Sequence, residues 1–353
     1  MNYDVELDDL IMTLVKEGGS DIHFNVGNFP TVRVSRELVP LTRKKELTAD
    51  DTVGFLRSMV GEKAFTGFVI KQELDFSYEH KKEYRLRGNA SFQRGVVSVA
   101  LRLVPKVKQI KDLNLPEQLM EIARQKEGFF IVVGPIGQGK STTLASMISL
   151  INSESRRHIV TIEDPIEFLF DNDKSIIEQR EVSIDTVDFP TALRHAFRQD
   201  ADVIFIGEMR DRETISTAVT AAETGHLVLS TLHANSASQT IDRIIDTFPP
   251  EQQDQIRVQL AGSLLGIMSI RLIPRISGGL IPACELLLNT GAVANLIREN
   301  RTHEIDILIE TGMSEGMIDL DRNLADLVKR GEILRESALE RVKNKNFFER
   351  LIQ

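Results

Sequence analysis

One cysteine, Cys284, is all the thiol this 353-residue sequence has. A single thiol excludes an intramolecular disulfide and a four-cysteine zinc knuckle within one chain. No apolar run approaches the roughly 18 residues of a membrane span, so no direct membrane insertion is expected. The opening residues are acidic and have no apolar core, so no secretory leader is expected and a cytoplasmic location is. Basic residues are in deficit, with 43 Lys and Arg against 52 Asp and Glu and a formal net charge of −9. The broad basic surface of a nucleic-acid motor is therefore disfavoured, and no nucleic-acid partner is expected. Internal repeats and low-complexity segments are missing too. What is present, 42% hydrophobic and 27% charged residues, is the composition of a soluble globular protein with room for two domains.

The most informative stretch is Gly134-Pro135-Ile136-Gly137-Gln138-Gly139-Lys140-Ser141, which reads G-x-x-x-x-G-K-S. The apolar, β-prone residues 129–133 before it read as a buried parallel strand. Behind it, Leu144, Met147, Ile148 and Ile151 fall at helical spacing. Strand, glycine-rich turn and helix form the arrangement that phosphate binding requires. Gly134, Gly137 and Gly139, with Gln138 between the last two, let backbone N–H groups curl around a phosphate. The helix N-terminus adds partial positive charge. Lys140 is placed to reach β- and γ-phosphates, the Ser141 hydroxyl to ligate Mg²⁺, and Thr142 to add a further phosphate contact. The stretch implies a bound nucleoside triphosphate such as ATP.

Ahead of this loop, residues 5–17 carry Leu7, Leu10, Ile11 and Leu14, an amphipathic helix stopped by Gly18-Gly19. Residues 20–26 alternate apolar and polar, as do 76–78, 84–92 and 96–104, and a helical pattern lies near 50–59. Together they predict a small α+β domain over residues 1–104. His23 falls on the polar phase and reads as a surface or interface residue rather than a catalytic one. Arg85, Arg87, Arg94 and Arg102 lie along two successive strands, with Arg85 and Arg87 on one face. Solvated strand charge is the plain reading, and arginine fingers reaching a nucleotide are the functional one. Residues 105–116, proline-bounded and lysine-rich, read as a linker or hinge, leaving 117–353 as the second domain.

Beyond the loop, residues 158–162 end in Glu163-Asp164, 203–206 end in Gly207-Glu208-Met209-Arg210, and 227–232 end in His233. Helical patterns at 191–199 and 212–223 lie between them. Alternating strands and helices predict a parallel sheet with its ligands at the carboxyl ends of the strands. Asp202 precedes its strand in the manner of a Walker B segment. Glu208 follows that strand, where a carboxylate can orient and deprotonate an attacking water. Glu163 and Asp164 suit metal-water ligation, though Asp164 before Pro165 reads equally well as a cap or solvated charge. His226 and His233 are seven residues apart and face opposite ways along a continuous strand. Zinc ligation by that pair is therefore improbable, whereas a γ-phosphate sensor or a polar interface link is open. His226, Arg194, Arg198 and Arg210 complete the candidate site. From residue 249 on the chain reads as helical, with one helix over 251–268 and another over 292–299. In the latter, Val293, Leu296 and Ile297 form the apolar stripe and Asn295, Arg298 and Glu299 face away.

At these residues the chain resembles the secretion and pilus motor ATPases, almost from end to end. Residues 20–23 (Ser-Asp-Ile-His), the phosphate loop, and the acidic box at 161–168 all match. So do the Walker B segment at 202–211 and the histidine box at 224–226 and 230–235. Ala292 to Glu299, with 302–305, resembles the signature of the type IV pilus retraction ATPases, A-I-R-N-L-I-R-E, with Ala294 in place of its first arginine. Val34, Ser35 and Arg36 stand where the family commonly has a glycine hairpin turn, and Gln138 where it commonly has serine. The resemblance implies a PAS-like domain before a RecA-like P-loop domain with a helical tail, acting as a homohexameric ring. It implies Mg-dependent ATP hydrolysis with Glu208 as base, Glu163 on the metal water, His233 as γ-phosphate sensor, and Arg87 and Arg102 closing on the nucleotide. The implied output is pilus retraction (twitching motility) through an inner-membrane platform protein, with the motor peripheral at the base of the pilus machine. Alternatives are an accessory retraction ATPase, which is also an implied partner, an assembly or type II secretion ATPase, and a nucleic-acid translocase. Assembly ATPases usually carry a C-x-x-C pair and a further N-terminal domain, for which this chain lacks the cysteines and the length.

Overall fold

A computed structural model describes residues 2–34, 37–81 and 83–353, so Ser35 and Arg36 lie outside the described residues. The chain divides into two compact units, one running to Lys106 and the other starting at Val107.

In the first unit, α1 (Tyr3–Lys16) precedes β1 (Asp21–Phe24), β2 (Thr31–Val34) and β3 (Glu37–Pro40). Then come α2 (Ala49–Lys71), β4 (Glu73–His80), β5 (Tyr84–Gln93) and β6 (Val96–Leu103). Leu7, Leu10, Ile11 and Leu14 form the expected stripe on α1 and are fully buried. The strands make one antiparallel sheet in the order β3-β2-β1-β6-β5-β4. Ile22, Phe24, Leu86, Val99 and Leu101 pack against Phe55 and Leu56 of α2, while residues between them on each strand stay partly exposed. That is the alternation of a sheet covered on one face.

The second unit opens with α3 (Gln118–Ala123), β7 (Gly128–Val133), α4 (Lys140–Glu154), β8 (His158–Glu163) and β9 (Ile176–Glu181). It continues with α5 (Phe189–Ala196), β10 (Val203–Ile206), α6 (Arg212–Glu223), β11 (Leu227–Leu232), α7 (Ala237–Asp246) and α8 (Pro250–Ser263). The hairpin β12 (Leu264–Pro274) and β13 (Leu280–Leu288) comes next. The tail is α9 (Gly291–Arg298), α10 (Ile305–Thr311), α11 (Leu320–Lys329), α12 (Arg335–Leu339) and α13 (Lys345–Ile352). The sheet order is β13-β12-β7-β11-β10-β8-β9, parallel throughout except for β13. Helices cover both faces, so β7 and β11 are buried at every residue and the core divides into two layers. Among the described residues no helix is long and apolar enough to cross a membrane.

One expectation is corrected. The helix expected over 251–268 ends at Ser263, and Leu264 begins a strand. Leu264, Ile267 and Met268 fit a helical period, but they pair with β7, whose outer edge would otherwise be an unpaired row of amides and carbonyls. Residues 105–116, expected as a linker, span the boundary between the two units and are for the most part exposed. Residues Ile110–Leu113 form a 3₁₀ turn, and Ile110 and Leu115 are buried in the core of the second unit.

Candidate active site

The phosphate loop joins β7 to α4. Gly134 has φ +151°, and a Cβ there would stand 2.6 Å from the Ile270 carbonyl oxygen, so only glycine fits. Gly137 (φ +73°) and Gly139 (φ +90°) hold the left-handed turns, and Gly139 caps α4. Lys140, 8% exposed, donates from Nζ to the carbonyls of Gly134 at 2.9 Å and Pro135 at 3.0 Å. Burial pulls this ammonium below its usual range, against Glu208 and Glu167, which hold it up. Among the described residues Lys140 makes no ion pair. Its charge looks into a cleft of about 450 Å³ lined by Gly139, Lys140, Ser141, Glu163, Glu208 and His233, among others. Thr142 and Arg210 line it as well.

Parallel pairing brings the other groups to the same rim. Glu163 ends β8 and is 4% exposed. It accepts hydrogen bonds from the Thr161 hydroxyl at 2.7 Å, Gln179 Nε2 at 3.2 Å and the Glu167 N–H at 3.3 Å. Burial nevertheless pushes its carboxyl up to about 7. Gly207 follows β10 beside the end of β8, where a Cβ would stand 3.4 Å from the Glu163 Cα, an ordinary contact. Glu208 comes next, paired with Arg210 and 3.4 Å from His233 Nε2. Lys140 Nζ stands 3.5 Å from His233 Nδ1. An ammonium only donates, so Nδ1 accepts and the imidazole proton sits on Nε2, facing Glu208. Lys140, His233 and Glu208 therefore form one polar line across the cleft.

Other candidates are not brought to this rim. Asp202 and His226 flank the amino ends of β10 and β11, one strand length or about 20 Å away. Asp202 accepts the His158 N–H at 2.7 Å, tying β8 to β10. His226 Nδ1 lies 3.0 Å from the Ala221 carbonyl, and the ring meets Phe197 edge-on. Arg194 pairs with Glu213, and Arg198 lines a separate surface hollow along β9 and α5. In the first unit, strand register sets Arg33, Asp21, Arg102, Arg87 and Ser77 in one row across the sheet. Arg102 Nε donates to Asp21 Oδ1 at 2.8 Å. On α9, Val293, Leu296 and Ile297 are buried as expected, while Ala292, Asn295, Arg298 and Glu299 are exposed. Asn295 Nδ2 donates to Glu299 Oε1 at 3.0 Å, and Ala294 is buried.

Three side chains at the site were not anticipated in these roles. Gln179 of β9 holds Glu163 and also binds the Phe168 carbonyl and the Phe170 N–H at 2.8 and 3.0 Å. The Gln138 side chain turns away from the cleft and accepts the Leu272 N–H at 2.7 Å. Arg271 lies beside Gly134 on β12. The run Ile176–Glu181, Ile-Ile-Glu-Gln-Arg-Glu, does not alternate apolar and polar residues and gave no signal for Gln179, while the other two depend on the β12 hairpin.

Residues 79–320 match the family described as type II/IV secretion system protein. The chain is 40% identical to the type IV pilus retraction ATPase PilT of Pseudomonas aeruginosa, over 96% of this chain and 98% of that protein. It is 38% identical to the type IV pilus ATPase PilU of the same organism, over 97% of this chain and 90% of that one. A crystal structure of the pilus retraction motor PilT with bound ADP superposes with a TM-score of 0.90 at 44% identity, covering 97% of this chain and 98% of that one.

Proposed function

Because the chain belongs to the type II/IV secretion system protein family, we propose that it is an ATP-hydrolysing motor that drives type IV pilus retraction. The observation that carries this reading is the Lys140–His233–Glu208 line across a phosphate-loop cleft. It occurs in a chain alike over nearly its whole length to PilT, a retraction motor with an ADP-bound structure.

The loop amides take the phosphates, and Lys140 exchanges its two carbonyl partners for phosphate oxygens. Among the described residues no three His, Cys, Asp or Glu gather for a metal. Mg²⁺ fits instead as the partner of the Ser141 hydroxyl, of phosphate, and of Glu163 through water. When bound it neutralises phosphate charge. Glu208 takes the proton of the attacking water as the new bond to the γ-phosphorus forms and the bond to the ADP oxygen breaks. His233, between Lys140 and Glu208, reads whether a γ-phosphate is present. Arg87 and Arg102 supply the closing charge in a homohexameric ring. Ring motion acts on an inner-membrane platform protein from the cytoplasmic side, so that pilin subunits leave the fibre. Helix α9 takes no part in hydrolysis and is needed for output.

A second reading, an accessory retraction ATPase, is favoured by the nearly equal likeness to PilU. Deleting the gene and counting pili by electron microscopy separates the readings. Excess pili with lost twitching match the retraction motor. Normal numbers match the accessory enzyme, and bald cells an assembly motor.

A further inference from the structure

Strand β12 runs on past the end of its pairing with β7 and borders the phosphate loop. The last paired residues are Ser269 and Val133, and Ile270, Arg271 and Leu272 then pass the loop. Leu272 N–H holds Gln138 at 2.7 Å, and the Ile270 carbonyl packs against Gly134. Between them Arg271 spreads its guanidinium over four oxygens. Nη1 donates to the Ile270 carbonyl at 2.9 Å and to Ser269 Oγ at 3.2 Å. Nη2 donates to the Asn235 carbonyl at 2.8 Å and to Asn235 Oδ1 at 3.3 Å. The Ser269 hydroxyl reaches the same Asn235 carbonyl at 3.1 Å.

Asn235 lies two residues beyond His233 in the loop that leaves β11. Arg271 thus ties the strand beside the phosphate loop to the loop that carries His233. All these acceptors are uncharged, and among the described residues Arg271 makes no ion pair. A planar fork held by several neutral acceptors is a fixture of geometry rather than a charge partner.

Geometry is what the line across the cleft lacks in reserve. Its two separations, 3.5 Å from Lys140 to His233 and 3.4 Å from His233 to Glu208, are long for hydrogen bonds. A shift of about 1 Å in the His233 loop would break both. We infer that Arg271 is a positioning residue for ATP hydrolysis, fixing the His233 loop against the phosphate loop so that Lys140, His233 and Glu208 stay aligned. The inference rests on the ATPase reading above.

The test is a double-mutant cycle on the full chain, measuring ATP turnover, ADP affinity and thermal midpoint for Arg271→Ala, His233→Ala and the pair. Arg271→Ala is expected to lower kcat about tenfold or more while ADP affinity stays within about threefold. In the His233→Ala background, removing Arg271 changes kcat by less than about twofold, because its effect runs through His233. Arg271→Lys, which keeps the charge but not the fork, falls between wild type and alanine. It carries the same cycle if the alanine variant does not fold. Unchanged turnover, losses that multiply in the pair, or a loss of ADP affinity as large as the loss of turnover would each overturn the inference. No turnover in the unmodified chain, with ADP still bound, would overturn the ATPase reading and this inference together.

Discussion

In the second unit every residue of β7 and β11 is buried, whereas in the first unit β4 to β6 alternate between covered and partly exposed positions. The parallel sheet has helices on both faces, so it presents chemistry only where its strands end. Glu163, Glu208 and His233 stand there. The antiparallel sheet is covered on one face and keeps the other for side chains. Register then sets Arg33, Asp21, Arg102 and Arg87 in a row. One sheet is built to converge groups at an edge, the other to display charge across a face.

The comparison breaks most visibly at the edge. Lys140→Ala should lower ATP turnover by about 10³-fold or more, since Lys140 is the cation that the phosphate loop itself carries into the cleft. Next comes the difference in packing. Phe129 is 0% exposed and Leu38 on the edge strand β3 is 54% exposed. Phe129→Ala should cost about 3–5 kcal/mol in denaturant unfolding and Leu38→Ala less than about 0.5. Equal costs would mean that the two sheets are not packed differently.

Glu163 gives a smaller effect with a definite sign. Folding raises its carboxyl from 4.5 to about 7, so between those values the folded chain keeps a proton that the unfolded chain has released. The stability this confers is complete below about pH 4.5 and is lost as pH rises through about 7. Measured without nucleotide or Mg²⁺, wild type should lose on the order of 3 kcal/mol relative to Glu163→Gln between about pH 4.5 and pH 8. A flat difference would mean that Glu163 is not buried as described. On the face of the other sheet, Arg102→Ala should lower turnover about tenfold and leave ADP affinity within about threefold. An equal loss of both would assign Arg102 to ground-state binding.

Much of this was legible in the sequence. The phosphate loop, β8, β10 and β11 announced themselves because buried parallel strands are apolar runs and their carboxyl ends must turn polar. The α1 and α9 stripes were equally plain, each with its apolar residues at helical spacing. What escaped depended on contacts distant in sequence. Leu264 to Met268 satisfies a helical period, and only the open edge of β7 makes it a strand. With that hairpin unseen, neither the Leu272–Gln138 bond nor the Arg271 fork could be anticipated. Asp202 precedes β10 as read, but its carboxylate accepts the His158 N–H at that amino end, a partner that depends on the pairing of β8 with β10.

The most direct test of the account is ATP turnover and ADP affinity in Glu208→Gln, a substitution that keeps the shape and removes the base. Turnover about 10² to 10³-fold below wild type, with ADP affinity within about threefold, is the predicted result. Turnover at the wild-type rate would contradict the assignment of the base, and with it the claim that hydrolysis is organised by the line from Lys140 through His233.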